Sequence, residues 1–130
     1  MIITMKTASM ETELSLLDDS GKQINHELWQ SGRQLSEDLL VHVESLLADS
    51  KSNFDDLAGI IVFEGPGSFT SLRIGLTVAN TMAYSLTLPI VGAAGGDLIT
   101  LGLAKLAKAK PGVYVMPQYG AEANITRPKK

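Results

Sequence analysis

Gly59-Ile60-Ile61-Val62-Phe63-Glu64-Gly65-Pro66-Gly67-Ser68-Phe69-Thr70-Ser71-Leu72-Arg73-Ile74-Gly75-Leu76 is the stretch on which the fold turns. Its first five residues form a continuous apolar run, the pattern of a strand buried on both faces. Gly65-Pro66-Gly67-Ser68 is turn chemistry. Beyond it Leu72, Leu76, Ala79, Ala83 and Leu86 recur at helical spacing, which predicts a helix over 69–86. Strand, tight turn and helix in that order make an α/β crossover.

Working outward, residues 2–6 are apolar enough for a strand. In 12–18, Leu14 and Leu16 share one face and Glu13 and Ser15 the other, the period of two expected of a strand. Asp18-Asp19-Ser20-Gly21 is a turn, and 22–29 alternates again with Ile24 and Leu28 on one face, so the two segments read as a hairpin. Leu35, Leu39, Val43 and Leu46 then switch to helical spacing over 34–48. Pro89-Ile90-Val91-Gly92-Ala93 is a short buried strand, 96–108 a third helix, and Val113-Tyr114-Val115-Met116 a last strand after the Pro111-Gly112 break. The expected order, β-β-β-α-β-α-β-α-β, gives one α/β domain over 1–116 with helices on the faces of a mixed sheet. Residues 117–130 read as an irregular tail.

Composition fits this picture. Of 130 residues, 45% are hydrophobic and 19% charged, a globular mixture. With no cysteine, disulfides and thiolate metal sites are excluded. No apolar run approaches the roughly 20 residues needed to cross a bilayer, and Met1–Lys6 lacks the order of a signal peptide, so a cytoplasmic protein without membrane contact is expected. The net charge of −3 is uneven: residues 1–64 hold 4 basic and 12 acidic side chains (−8), residues 65–130 hold 7 and 2 (+5). That polarity suits a charged partner, whereas the acidic total argues against a strong grip on RNA by this chain alone.

A glycine turn between a strand and a helix is a natural anion cradle. Here it lacks the Gly-Lys-Ser/Thr of a P-loop and the GxGxxG of a dinucleotide site. Two readings stand: Gly65 and Gly67 turn the chain while Ser68 caps the helix, or the turn holds an anion. Neither His26 nor His42 has a partner at metal-binding spacing, and Asp18-Asp19 and Asp55-Asp56 read as turn and cap residues. No catalytic residue, metal ligand or cofactor is therefore assigned.

The segment 65–76, GPGSFTSLRIGL, resembles the signature GPGSFTGLRIG of the TsaB (YeaZ) family, with Ser71 where a glycine is usual. Ser36-Glu37-Asp38-Leu39-Leu40 resembles the family's S-E-x-L-L, Leu88–Gly92 its next strand, and Pro117-Gln118-Tyr119 its C-terminal P-x-Y. The resemblance implies a ribonuclease-H-like half-domain of the actin/Hsp70 superfamily. It also implies a non-catalytic scaffold role in making threonylcarbamoyladenosine at position 37 of tRNA. The partners so implied are a TsaD-like transferase and a TsaE-like ATPase, with tRNA met only through the complex. Two departures bear on activity. The family's first strand carries an I-D-T-S carboxylate where this chain has Lys6, and a cation cannot organise a metal. Met116 is followed almost directly by the P-x-Y tail, so a form lacking most of the second lobe is expected. The alternative is an enzyme, nucleotide-binding or peptidase-like, on the same fold.

For the binding surface, Gly75, Ala79 and Ala83 recur every fourth residue and leave a groove without large side chains. Such a groove seats either the domain's own sheet or another helix. The second strip, Ile74 with Val78, and the first helix's Leu35, Leu39 and Val43 add apolar surface. The expectation is a helix-mediated dimer through these residues, with itself or with the transferase. Gly65, Pro66, Gly67, Ser68, Thr70 and Arg73 are expected to shape the turn and helix start.

Overall fold

The computed structural model describes residues 1–67, 69–94 and 97–116. Three consecutive strands, β1 (Ile2–Lys6), β2 (Glu11–Leu17) and β3 (Gln23–Gln30), are followed by α1 (Leu35–Asp49), β4 (Gly59–Gly65), α2 (Phe69–Leu86), β5 (Ile90–Ala94) and α3 (Leu98–Leu106). The strands form one sheet in the order β3-β2-β1-β4-β5. β1, β2 and β3 pair antiparallel, and β4 and β5 join parallel to β1. The parallel pairs follow from the helical crossovers, which return the chain to the same end of the sheet before each new strand.

The hairpin turn is made as its residues suggest. Asp18 Oδ1 accepts from the Ser20 hydroxyl at 2.6 Å and from the Ser20 and Lys22 amides, and Gly21 takes φ +89°. The Ser20 hydroxyl, ahead of the backbone amides, holds the Asp18 carboxyl below its usual range.

Strand alternation divides the sheet into two faces. Ile3, Met5, Leu14, Leu16, Ile60 and Val62 point to one side and share a core with Leu39, Val43 and Leu47 of α1 and Leu76, Ala79 and Met82 of α2. Ile61 points the other way, under α3, where Gly102 leaves no room for a Cβ against it. Gly59 lies beneath Leu106 in the same manner. α3 thus covers β4 and β5, while the second face of β2 and β3 carries Glu13, Ser15, Ile24, His26 and Leu28.

The expected last strand does not form. Residues 113–116 run as a loop, and the Asn80 side chain takes the place of a neighbouring strand. Its Nδ2 donates to the Val115 carbonyl at 2.9 Å and its Oδ1 accepts from the Val115 amide at 3.0 Å. One side-chain amide satisfies both backbone groups of Val115, which is buried. The expected tail, 117–130, lies outside the described residues.

Candidate interaction surface beside the motif turn

At the end of β4 the chain reverses through Gly65 (φ +119°), joined to Pro66 by a cis peptide bond. Positive φ is required at Gly65, not at Gly67. Gly67 instead allows a close approach: a Cβ there would sit 2.7 Å from Ala8 Cβ and 2.8 Å from the Ala8 carbonyl oxygen. Gly75, two helical turns on, abuts Thr7, whose hydroxyl occupies the space a Cβ would need. The two glycines let the segment after β1 lie against the start of α2. Ser71, standing where the family signature has glycine, donates its hydroxyl to the Ser9 carbonyl at 3.2 Å and latches the same contact. Ser68, expected to cap α2, lies outside the described residues.

The apolar stripe of α2 decides which surface is open. Leu72, Leu76, Ala79 and Ala83 are buried, as are Leu35, Leu39 and Val43 of α1. Six of the expected interface residues, Leu35, Leu39, Val43, Gly75, Ala79 and Ala83, therefore belong to the domain's own core. The small residues serve to seat α2 on β1 and β4, because a helix can approach a sheet closely only where its contact positions are small. Ile74 and Val78 remain half-exposed on the outward strip.

That strip lines a shallow groove between α1 and α2. One end is a cavity of about 260 Å³ bounded by Ser36, Thr70, Arg73, Ile74, Thr77 and Val78. The other, of about 300 Å³, shares Thr77 and Val78 and adds Leu40, Phe54, Thr81 and Met82. Leu40 is 48% exposed and Val41 beside it 59%. Sequence reasoning missed Phe54, a large aromatic amid the polar run 50–56. Its position is set by Asn53, whose side chain accepts from the Asp55 amide while Asp56 accepts from the Asn53 amide.

Both histidines and Lys6 lie elsewhere. His26 Nε2 meets Glu13 Oε2 at 2.7 Å on the second sheet face. His42 Nδ1 meets Glu27 Oε2 at 2.6 Å between α1 and β3. Lys6 Nζ stands 4.9 Å from the centre of the Phe63 ring. Among the described residues, no group of three or more His, Cys, Asp or Glu is placed to hold a metal ion, and no helix is long and apolar enough to cross a membrane.

Residues 29–115, which include α1, the signature turn and α2, match the model of the family described as TsaD: tRNA N6-adenosine threonylcarbamoyltransferase. The chain belongs to that family. Its relatives include TsaB (YeaZ) proteins and also transferases, such as the tRNA N6-adenosine threonylcarbamoyltransferase of Desulfitobacterium hafniense (strain Y51), 46% identical over 50 residues, covering 38% of this chain and 15% of that protein. The chain is 52% identical over 48 residues to the tRNA threonylcarbamoyladenosine biosynthesis protein TsaB of Bacillus subtilis (strain 168), covering 37% of this chain and 21% of that protein. It is 30% identical over 91 residues to TsaB of Escherichia coli (strain K12), covering 70% and 38%. The solved structure of YeaZ from Pseudomonas aeruginosa superimposes with a TM-score of 0.66 at 24% identity, over 72% of this chain and 43% of that one. That likeness places the sheet and its helices in the ribonuclease-H-like class. The chain spans less than half the length of these TsaB (YeaZ) relatives.

Proposed function

We propose that this chain is a non-catalytic partner subunit in the making of threonylcarbamoyladenosine on tRNA, and that its α1–α2 groove docks a helix of a TsaD-like transferase. The observation that carries this reading is the groove itself: an apolar strip of Ile74, Val78, Leu40 and Phe54, left open after the core is satisfied, directly beside the signature turn. An amphipathic helix laid in such a groove buries apolar surface at a spacing of three and four residues. TsaB relatives carry the name of this pathway, and the family takes its name from the transferase. Lys6 in place of a first-strand carboxylate supports a scaffold role over nucleotide hydrolysis. In this reading a TsaE-like ATPase and tRNA join through the complex, in the cytoplasm, and the same groove serves a homodimer when the transferase is absent.

The test is co-purification of this chain with the TsaD-like transferase of its own cell, with Val78→Arg as the probe. Val78→Arg should weaken the complex by about a hundredfold or more, since a charge in the centre of an apolar contact costs roughly 3 kcal/mol. Its melting temperature should stay near that of the unmodified chain, because Val78 is only half-buried. Equal capture of Val78→Arg and the unmodified chain, or no capture of either, would rule the groove out.

A further inference from the structure

We propose that the hollow between α3 and the second face of β1 and β2 binds a small zwitterion, a molecule with the size and charges of a free amino acid. The hollow holds about 220 Å³ and is lined by Thr4, Lys6, Glu13, Ser15, Gln23 and Asp97. Pockets for drug-sized ligands run from about 300 to 1,000 Å³, so its occupant is small. It is distinct from the α1–α2 groove, on the other side of the sheet, and does not depend on what that groove binds.

Two hydroxyl residues line the floor of the hollow. Thr4 and Ser15 are directly paired across β1 and β2, and the residues are only 2% and 3% exposed. Neither hydroxyl is one of the fully enclosed, unpartnered side-chain atoms, which among the described residues are Thr7 Oγ1 and Trp29 Nε1. What little surface Thr4 and Ser15 keep faces the hollow. Side by side at the floor of one cavity, the two hydroxyls present both donors and acceptors to whatever enters.

The charges select the class. Lys6 stands opposite Glu13 in the strand register, so a cation and a carboxylate, the latter also in contact with His26 Nε2 at 2.7 Å, border the floor on one side. Asp97 stands at the start of α3, its carboxylate accepting from the Thr100 amide and hydroxyl. A molecule with both an ammonium and a carboxylate group meets opposite charge at each end. A phosphate would face two carboxylates, and a simple cation would face Lys6. Among the described residues no aromatic side chain lines the hollow, so a base or sugar has no ring to stack on there. Leu98 and Ile99 complete the wall and suit a short aliphatic side chain.

The experiment is nuclear magnetic resonance titration of the 15N-labelled chain with L-serine, the smallest amino acid with a hydroxyl, to about 20 mM, the range in which so few ligand atoms are expected to bind. Saturable shifts at the Thr4, Ser15 and Ile99 amides are expected. Thr4→Val, which removes one hydroxyl at similar shape, should weaken L-serine binding about tenfold while leaving the melting temperature unchanged or higher. Lys6→Gln should weaken it at least as much. Should Thr4→Val fail to fold, Ser15→Ala carries the same expectation. Absence of saturable shifts overturns the proposal, as does stronger binding of D-ribose or inorganic phosphate at the same amides, or L-serine binding unaffected by Lys6→Gln.

Discussion

The imidazole of His42 lies flat on the indole of Trp29, ring centres 3.8 Å apart and planes within 8°. Trp29 belongs to the edge strand β3 and His42 to α1. The stack, together with the His42–Glu27 contact at 2.6 Å, fastens the edge of the sheet to the helix above it. Asn25, on the same face of β3, adds a bond to the Ser50 hydroxyl at 3.1 Å. His42→Ala removes the stack and leaves Glu27 without its partner. The expected loss is about 1–3 kcal/mol, from an aromatic pair and one charge-assisted hydrogen bond. Trp29 is the sole tryptophan, so urea unfolding followed by its fluorescence reports the change directly. An unchanged midpoint would show that β3 is held by its ladder to β2 alone.

The two signature glycines fail for different reasons when filled. Gly67→Ala drives a Cβ against the Ala8 backbone, which has little room to yield, and should cost about 1–3 kcal/mol. Gly75→Ala meets the Thr7 side chain instead, at similar cost. Thr7→Ala should recover part of the second loss and none of the first. A double-mutant cycle by denaturant unfolding measures this; equal rescue of both would mean the contacts are misassigned.

Asp97 links the stability of α3 to pH. The Thr100 hydroxyl first, then backbone amides, hold its carboxyl below the usual value of 3.8. A carboxyl depressed in the folded state stabilises above its unfolded value, and that contribution disappears as pH falls through the folded value. Asp97→Ala should therefore unfold at lower urea than the unmodified chain at pH 7, with the gap narrowing toward pH 2. A gap that stays constant over that range would show that the charge does not matter to the cap.

Asn80→Ala should release the loop 113–116. Both backbone groups of Val115 lose their partner, and the cost is about 1–3 kcal/mol for buried polar groups left unpaired. Amide exchange at Val115 should accelerate by at least about tenfold. Exchange as slow as before would mean that packing against β5 alone holds the loop.

Much of this molecule follows from local pattern. Leu14 and Leu16 alternate with Glu13 and Ser15, and Leu35, Leu39, Val43 and Leu46 return every three or four residues. Each periodicity fits only one backbone geometry if the apolar side chains are to share a face. The apolar run 59–63, bounded by turn residues, likewise has no wet side to offer and becomes the inner strand β4. The ends of these elements fall within one or two residues of where the pattern places them, because capping and fraying depend on neighbours.

What tertiary structure alone decided is the fate of residues whose local pattern permits two outcomes. Val113–Met116 has the composition of a strand, yet a strand needs a ladder, and the Asn80 amide satisfies Val115 from a helix 35 residues away. Gly75, Ala79 and Ala83 suit a partner helix or the domain's own sheet equally well. The choice fell to the sheet because Thr7 at the end of β1 fills the space beside Gly75. Phe54 reaches the groove only because the fold brings the 50–56 turn beside α2. Thr4 and Ser15 share a hollow with Asp97 only because α3 crosses the second face. Contacts between residues distant in the chain leave no periodicity in it, so they became visible only when the sheet assembled.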